Sequence, residues 1–424
     1  MAREMKDSGI EWIGEIPREW EIGRIGQLYT ERKEKVSDKD YAPLSVTMKG
    51  IVPQLSTAAK TDAHDDRKLV IKGDFAINSR SDRRGSCGIS KYDGSVSLIN
   101  IILSPKNEMN PIYYEWLFHS TMFSDEFYKW GHGIVNDLWT TNWQDMKKIT
   151  VPIPSKEEQE QIANFLDTQC AHIDSVIEKT RAAIEEYKKL KQAVITQAVT
   201  KGIRPNREMK DSGIEWIGEI PKKWICTIMK RFCRFQTGST PSTNNPQWFD
   251  GNLDWFTPSD FNEKCFLSNS IRKLSKKAKE DGVATLIEPN TVMIIGIGGT
   301  AGKIGFTTSE CSCNQQITAV KPNNELLSKY LMYWMISNTK ILKDTALYTT
   351  LPIINNQTIG EFLLIMPETI SEQSEIVAYL DEKTAAIDSL IQKKEQLITE
   401  LEAYKKSLIY EYVTGKKEVP VHAH

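Results

Sequence analysis

Positive charge is not in excess in this chain: 54 Lys and Arg stand against 56 Asp and Glu, a net charge of −2. No uniform basic field therefore marks a nucleic-acid binder, and any contact with DNA has to be local. Cysteine is sparse and patternless. The seven thiols, Cys87, Cys170, Cys226, Cys233, Cys265, Cys311 and Cys313, are odd in number and scattered, which suits a reducing cytoplasm and not a disulfide framework. Cys311 and Cys313 have no second cysteine pair and no neighbouring histidine, so a zinc site is not expected. No run approaches the ~18 apolar residues of a membrane span, and the charged N-terminus lacks the apolar segment of a secretory signal. A soluble cytoplasmic protein with no membrane partner is the expectation.

Catalytic signatures are missing as well. The six histidines fall at no metal or triad spacing, no serine sits in a nucleophile elbow, and no Asn-Pro-Pro-Tyr or Asp-Pro-Pro-Tyr methylase pocket occurs. The most tempting motif is "GIGGTAGKI", Gly296 to Ile304. As a phosphate loop it lacks the glycine five residues before its Gly-Lys, where Ile297 stands, and the Ser or Thr after Lys303, where Ile304 stands. A dinucleotide loop needs a helix N-terminus next, and "KIGFTT" continues as a strand. A turn between strands fits better than a nucleotide-binding enzyme site, and no cofactor is expected.

What the chain does have is repetition. "REMKDSGIEWIGEIP" runs from Arg3 to Pro17 and returns unchanged from Arg207 to Pro221. Trp20 and Trp224 follow each copy, the likeness then fades, and it revives where "EQEQIANFLDTQCAHIDSVI" from Glu158 matches "EQSEIVAYLDEKTAAIDSLI" from Glu372. Gln159 pairs with Gln373, Asp167 with Asp381 and Asp174 with Asp388. Each half is a constant start, a variable middle and a constant end.

The constant ends predict long helices. Ile173, Ile177, Thr180, Ile184, Tyr187, Lys191, Val194 and Ala198 follow an alternating four-three spacing, and Ile387, Ile391, Lys394, Ile398, Leu401, Lys405, Leu408 and Tyr412 repeat it with polar letters at the same two places. Val176, Leu190, Leu390 and Tyr404 widen the stripe, as a helix needs if it packs on more than one partner. Two such helices in register favour pairing with each other, and an antiparallel pair would act as a spacer between the middles. The middles predict mixed α/β domains in a shared order. In the first, "LVIKGDFAIN", "GISKYDGSVSLINIIL" and "ITVPIP" are strands and "PIYYEWLFHSTMFSDEFYKW" a helix; in the second, "TVMIIGIGG", "KIGFTT", "QQITAVKP" and "FLLIMP" are strands and "NELLSKYLMYWMISNT" a helix.

These pieces, with "GIEWIGEIP" plus tryptophan in both halves, "TGSTPSTNNPQWFDGNLDWFTPSDF", "IPSKEEQEQIANFLD" and "MPETISEQSEIVAYLD", resemble the specificity (S) subunits of type I DNA restriction-modification systems along essentially the whole chain. The resemblance implies two pseudo-symmetric α/β (α+β) target-recognition domains separated by a pair of long antiparallel coiled-coil helices. It implies double-stranded DNA as partner, each domain reading one half of a split target. It further implies two modification (M) subunits, which bind S-adenosylmethionine and methylate adenine, and restriction (R) subunits that are ATP-driven nucleases, the S subunit catalysing nothing. On this reading the chain divides into a junction segment at 1–20, recognition domain 1 at 21–154, a central helix at 155–203, a second junction at 204–224, recognition domain 2 at 225–367, a C-terminal helix at 368–417 and a tail at 418–424.

Candidate DNA contacts follow from side-chain chemistry. "NSRSDRRGS" offers Asn78, Arg80, Ser81, Arg83 and Arg84 directly after a strand, arginine forks suiting guanine or paired phosphate oxygens and asparagine suiting adenine. "GHGIVNDLWTTNWQD" adds Asn136, Thr140 and Asn142. In the second domain Thr237, Ser239 and Thr240, Lys303 beside the glycine turn, and Asn314 and Gln315 are comparable. "IRKLSKKAKE", Ile271 to Glu280, carries five basic residues and is either a phosphate track or a solvated face. Helix pairing is assigned to Ile173, Ile177, Ile184, Tyr187, Val194, Ile387, Ile391, Ile398, Leu401 and Leu408, and Trp12, Trp20, Trp216 and Trp224 to packing where a helix end meets a domain.

Overall fold

A computed structural model describes residues 3–54, 65–106, 109–133, 139–261, 265–348 and 351–420. The chain divides into two compact units, Met1–Arg181 with Glu395–His424, and Ala182–Lys394. Both boundaries cut across a long helix, one spanning Lys156–Lys201 and the other Ile370–Val413, so each unit owns the start of one helix and the end of the other.

In the first unit a four-stranded antiparallel sheet runs Cys87–Ile89, Phe75–Asn78, Asn100–Pro105, Tyr29–Glu31. The second unit repeats that order with Ile304–Thr307, Thr291–Ile295, Ile317–Pro322 and Cys233–Thr237, and adds Phe266–Leu267 as a parallel edge. Three expected runs are broken in the first unit, where "GISKYDGSVSLINIIL" folds as Cys87–Ile89, Gly94–Val96 and Asn100–Pro105. "LVIKGDFAIN" folds as Arg67–Val70 and Phe75–Asn78, because Asp74 closes a turn onto Ile71; the single helix expected after Asn110 is two, Pro111–His119 and Thr121–Lys129, because the Ser120 side chain caps the second.

The repeated segment folds as the same hairpin in both units, Met5–Asp7 against Glu15–Pro17 and Met209–Asp211 against Glu219–Pro221 in one register. Its purpose is visible in what it holds. The buried Trp20 donates its indole N–H to Glu158 at 2.8 Å, and Arg3 pairs with the same carboxylate at 2.5 Å. Trp224 donates to Glu372 at 3.0 Å, and Arg207 pairs with it. Burial alone would raise the Glu372 carboxyl, but the hydrogen bonds from Arg207 and Trp224 outweigh it and keep the group below its ordinary value. Both glutamates sit in the first turn of a long helix, three residues after a capping hydroxyl, Ser155 or Thr369.

The next residue binds each helix to its domain. Gln159 accepts from the Asn110 N–H at 2.8 Å and donates to the Pro154 carbonyl at 2.9 Å; Gln373 accepts from the Leu327 N–H at 2.8 Å and donates to the carbonyls of Glu325 and Pro367. The opposite helix end closes the unit. Tyr113 donates its hydroxyl proton to the Val413 carbonyl at 2.7 Å, and Lys416 donates to the carbonyls of Ile13 and Glu15 at 2.9 and 3.0 Å. Tyr330 does the same to Val199 at 3.2 Å, and Lys201 to Ile217 and Glu219. Each hairpin thus clamps the start of one long helix and the end of the other.

Within each unit the helix segments run antiparallel. Lys405 meets Asp174 at 2.7 Å and Arg181 meets Glu402 at 2.9 Å in the first; Lys191 meets Asp388 at 2.7 Å in the second, where Lys394 also lies 5.7 Å over the Tyr187 ring. The lysines in the stripe are therefore cross-helix partners, Lys191 and Lys405 occupying equivalent places, while Thr180 donates its hydroxyl proton to the Val176 carbonyl of its own helix. Ile173, Ile177, Ile184, Ile387 and Leu408 are buried, and Tyr187, Val194, Ile391, Ile398 and Leu401 are half-buried. Leu190, Leu390, Leu397 and Tyr404 remain exposed. Among the described residues no helix is long and apolar enough to cross a membrane.

Candidate nucleic-acid interface

The arginine loop and the glycine turn occupy the same place in the two sheets, since each joins the strand pair Phe75–Asn78 to Cys87–Ile89 or Thr291–Ile295 to Ile304–Thr307. A second segment lies beside each. Arg80 forms a bridge with Thr140 and Ile297 one with Ile353, while the Thr141 N–H donates to the Ser79 carbonyl and the Ile354 N–H to that of Gly296. The candidate segments of the first unit are therefore neighbours in space, and the second unit has a counterpart that sequence reasoning did not single out. Asn136 lies outside the described residues.

In the first unit the loop is a one-turn 3-10 helix, Ser81–Arg83. Asn78 accepts from the Arg80 N–H at 3.1 Å, and the Tyr128 hydroxyl donates to the Asn78 carbonyl at 3.1 Å; burial raises that phenol, which stays a neutral donor. Arg80 closes on Asp82 at 2.9 Å, and Arg84 pairs with Asp125 at 2.7 Å while its guanidinium lies 5.3 Å over Tyr128. Ser81 donates its backbone N–H to the Trp139 carbonyl. Asn142 is committed locally: its side chain accepts from the Asp145 N–H as an N-cap and donates to the Asp145 carboxylate. Lys148 and, against the effect of burial, His132 hold that carboxyl below its ordinary value. Arg83 is the open arginine of this loop, 68% exposed and, among the described residues, with only a 3.8 Å side-chain contact to Asp82. Arg83→Ala is expected to weaken DNA binding with a salt slope shallower by about 1 if it meets a phosphate, or to relax one base position at a cost of about 1–3 kcal/mol if it meets a base. Affinity titrations over a range of salt, with the fold checked by circular dichroism, decide whether the side chain touches DNA at all.

In the second unit the glycine turn, Thr240, Asn314 and Gln316 line one cleft of about 550 Å³, together with Trp255, Thr257, Ser259 and Arg272. Two of the turn's glycines are required, Gly296 by packing and Gly298 by its backbone conformation. A Cβ on Gly296 would sit 2.8 Å from the Ile354 carbonyl oxygen, and Gly298 has φ +109°. Thr240 bonds Gln315, bringing that candidate to the rim. Asn314 orients Gln316, accepting from its N–H at 3.1 Å and donating to its side chain at 3.0 Å. Three candidates are used elsewhere: Ser239 bonds Val283 and Thr285, Thr237 bonds Asn356, and Lys303 donates to the Phe261 carbonyl at 3.2 Å. No local sequence signal marks Trp255 or Thr257, Gln316 is the last letter of the polar run "NQQ" that also holds the candidates Asn314 and Gln315, and Arg272 is hidden inside a charge run. Its only signal was alternation, Arg272 and Lys273 facing opposite sides of a strand. Among the described residues no group of three or more His, Cys, Asp or Glu could hold a metal ion.

The model of the type I restriction modification DNA specificity domain matches residues 17–186 and again residues 221–400. The chain belongs to this family. Among curated relatives of this S-subunit family, the type I restriction enzyme MjaVIII specificity subunit of Methanocaldococcus jannaschii is 24% identical over 95% of this chain and 94% of its own length, and the putative MjaX specificity subunit of the same organism 23% over 96% of each. A solved structure described as the basis of complex assembly and conformational transition of the type I R-M system superposes with a TM-score of 0.74 at 14% identity, covering 95% of this chain and 99% of that one. The HsdS subunit from Thermoanaerobacter tengcongensis gives 0.53 at 16%, covering 95% and 98%. At such identities these two likenesses show the fold: mixed α/β domains with long paired helices.

Proposed function

We propose that this chain is the sequence-specific DNA-binding subunit of a type I restriction-modification complex, working in the cytoplasm and catalysing nothing itself. Each unit reads one half of a split duplex target, and the paired helices set the gap. The observation that carries this reading is the contrast inside one molecule: two units share a sheet order, a hairpin and a set of helix clamps, yet differ at the same two loops, arginine-rich in one and glycine-rich in the other. A conserved frame with exchanged loops is what two different half-sites require.

The exposed stripe of Leu190 and Leu390 in the second unit, and of Leu397 and Tyr404 in the first, offers apolar helix surface for partners. Because the surface recurs, two methyltransferase subunits carrying S-adenosylmethionine are expected around one such chain, with ATP-driven restriction subunits joining them. Native mass measurement of the co-expressed complex should give two modification subunits per chain, and methylation mapping should give one bipartite site. A stable one-to-one assembly with no vacancy, nucleotide turnover by the chain alone, or a complex indifferent to DNA sequence each contradicts the proposal.

A further inference from the structure

An arginine with an unspent hydrogen-bonding fork also lies outside the arginine-rich loop. Arg272 opens the short strand Arg272–Leu274 and stands directly opposite Trp255. Its guanidinium lies 4.8 Å from the Trp255 ring centre and 5.4 Å from that of Phe249, and the two rings meet edge to face at 6.4 Å. Trp255 is itself fixed, 2% exposed with its indole N–H donated to the Ser239 carbonyl at 3.1 Å. Asp254, beside Trp255 in the chain, is turned to Lys273 at 2.9 Å, and among the described residues no carboxylate pairs with Arg272. Stacking thus orders the side chain without using its donors.

The surroundings select the ligand. Among the described residues lining the cleft, Arg272 is the only charged side chain; the others that are polar are the hydroxyls of Thr240, Thr257, Ser259 and Thr300 and the amides of Asn314 and Gln316. A phosphate track gathers several cations, whereas one planar fork among neutral donors and acceptors matches a base edge. We propose that Arg272 reads a guanine, through its O6 and N7, in the half-site taken by the second unit. This inference rests on the reading of the chain as a specificity subunit.

The test uses the full chain with its modification subunits, incubated with a duplex library randomised over both half-sites, the bound fraction being sequenced for wild type, Arg272→Lys and Arg272→Gln. Wild type should select guanine at one position of one half-site. Both variants should lose that preference by roughly 5- to 150-fold, lysine included because it keeps the charge and loses the fork. The other half-site, unchanged in the same molecules, shows that the variants fold. Unaltered preferences overturn the inference, as does a loss spread evenly over all sequences with a salt slope shallower by about 1, the mark of a phosphate contact. A wild-type complex that selects both half-sites, with no guanine in the half-site Arg272 should affect, overturns this inference alone; a wild-type complex with no sequence preference overturns the specificity reading beneath it.

Discussion

Replacing Trp12 by alanine is expected to destabilise the first unit by about 3–5 kcal/mol, whereas the same change at Trp216 costs less than about 1 kcal/mol, although the two tryptophans occupy the same place in fifteen identical residues. Trp12 is 6% exposed and meets Phe123 edge to face at 6.0 Å; Trp216 is 45% exposed. The cause lies outside the repeat. The nine-residue helix Thr121–Lys129 brings Phe123 to Trp12, and its counterpart Thr339–Asp344 is six residues long and carries no aromatic. Because the Trp12 indole N–H is buried without a partner among the described residues, Trp12→Phe should cost much less than Trp12→Ala, keeping ring contacts while removing an unsatisfied donor. A chain of two units need not melt in one step, so peptide-resolved amide exchange is the measurement, read on the slowest amides of each unit. Equal effects at the two sites would show that burial of this segment is the same in both units.

That contrast also marks the limit of the sequence. The duplication was legible because identical letters at fixed spacing need no structural knowledge, and the helix seam because buried positions recur every three or four residues. The lysines at 191 and 405 were visible only as interruptions, since their meaning depends on Asp388 and Asp174 about 200 residues away in the chain. Glu158 and Gln159 read as a family signature, but the reason for each letter, one clamped by Trp20 and Arg3 and the other spanning the Asn110 N–H and the Pro154 carbonyl, required the fold. The candidate interface divides the same way. Polar loops after strands were found from composition. Which polar groups were already committed, such as Ser239 to Thr285 and Asn142 to its cap, and that Arg272 stacks on Trp255, are long-range facts that no local pattern carries.

On the proposed function, helix length should set the gap between half-sites. At about 1.5 Å per residue, Ile173 to Ala198 spans roughly 38 Å, close to the 34–36 Å of one DNA turn. The compact units part after Arg181 in one helix and after Lys394 in the other, so a heptad inserted at both points leaves the clamps and the pairs Lys405–Asp174, Arg181–Glu402 and Lys191–Asp388 inside their own units. Seven residues keep the apolar stripe in phase and add about 10 Å, or about 3 base pairs of duplex. Those base pairs also turn the far half-site by about 100°, so the variant complex should select the unchanged half-sites at a longer gap, or lose binding if the helices cannot twist to follow. Both outcomes are large, because a displaced half-site forfeits all of its base contacts at about 1–3 kcal/mol each. Methylation mapping reads the result directly: the original site, modified at its original gap with full efficiency, would show that the helices do not measure the DNA.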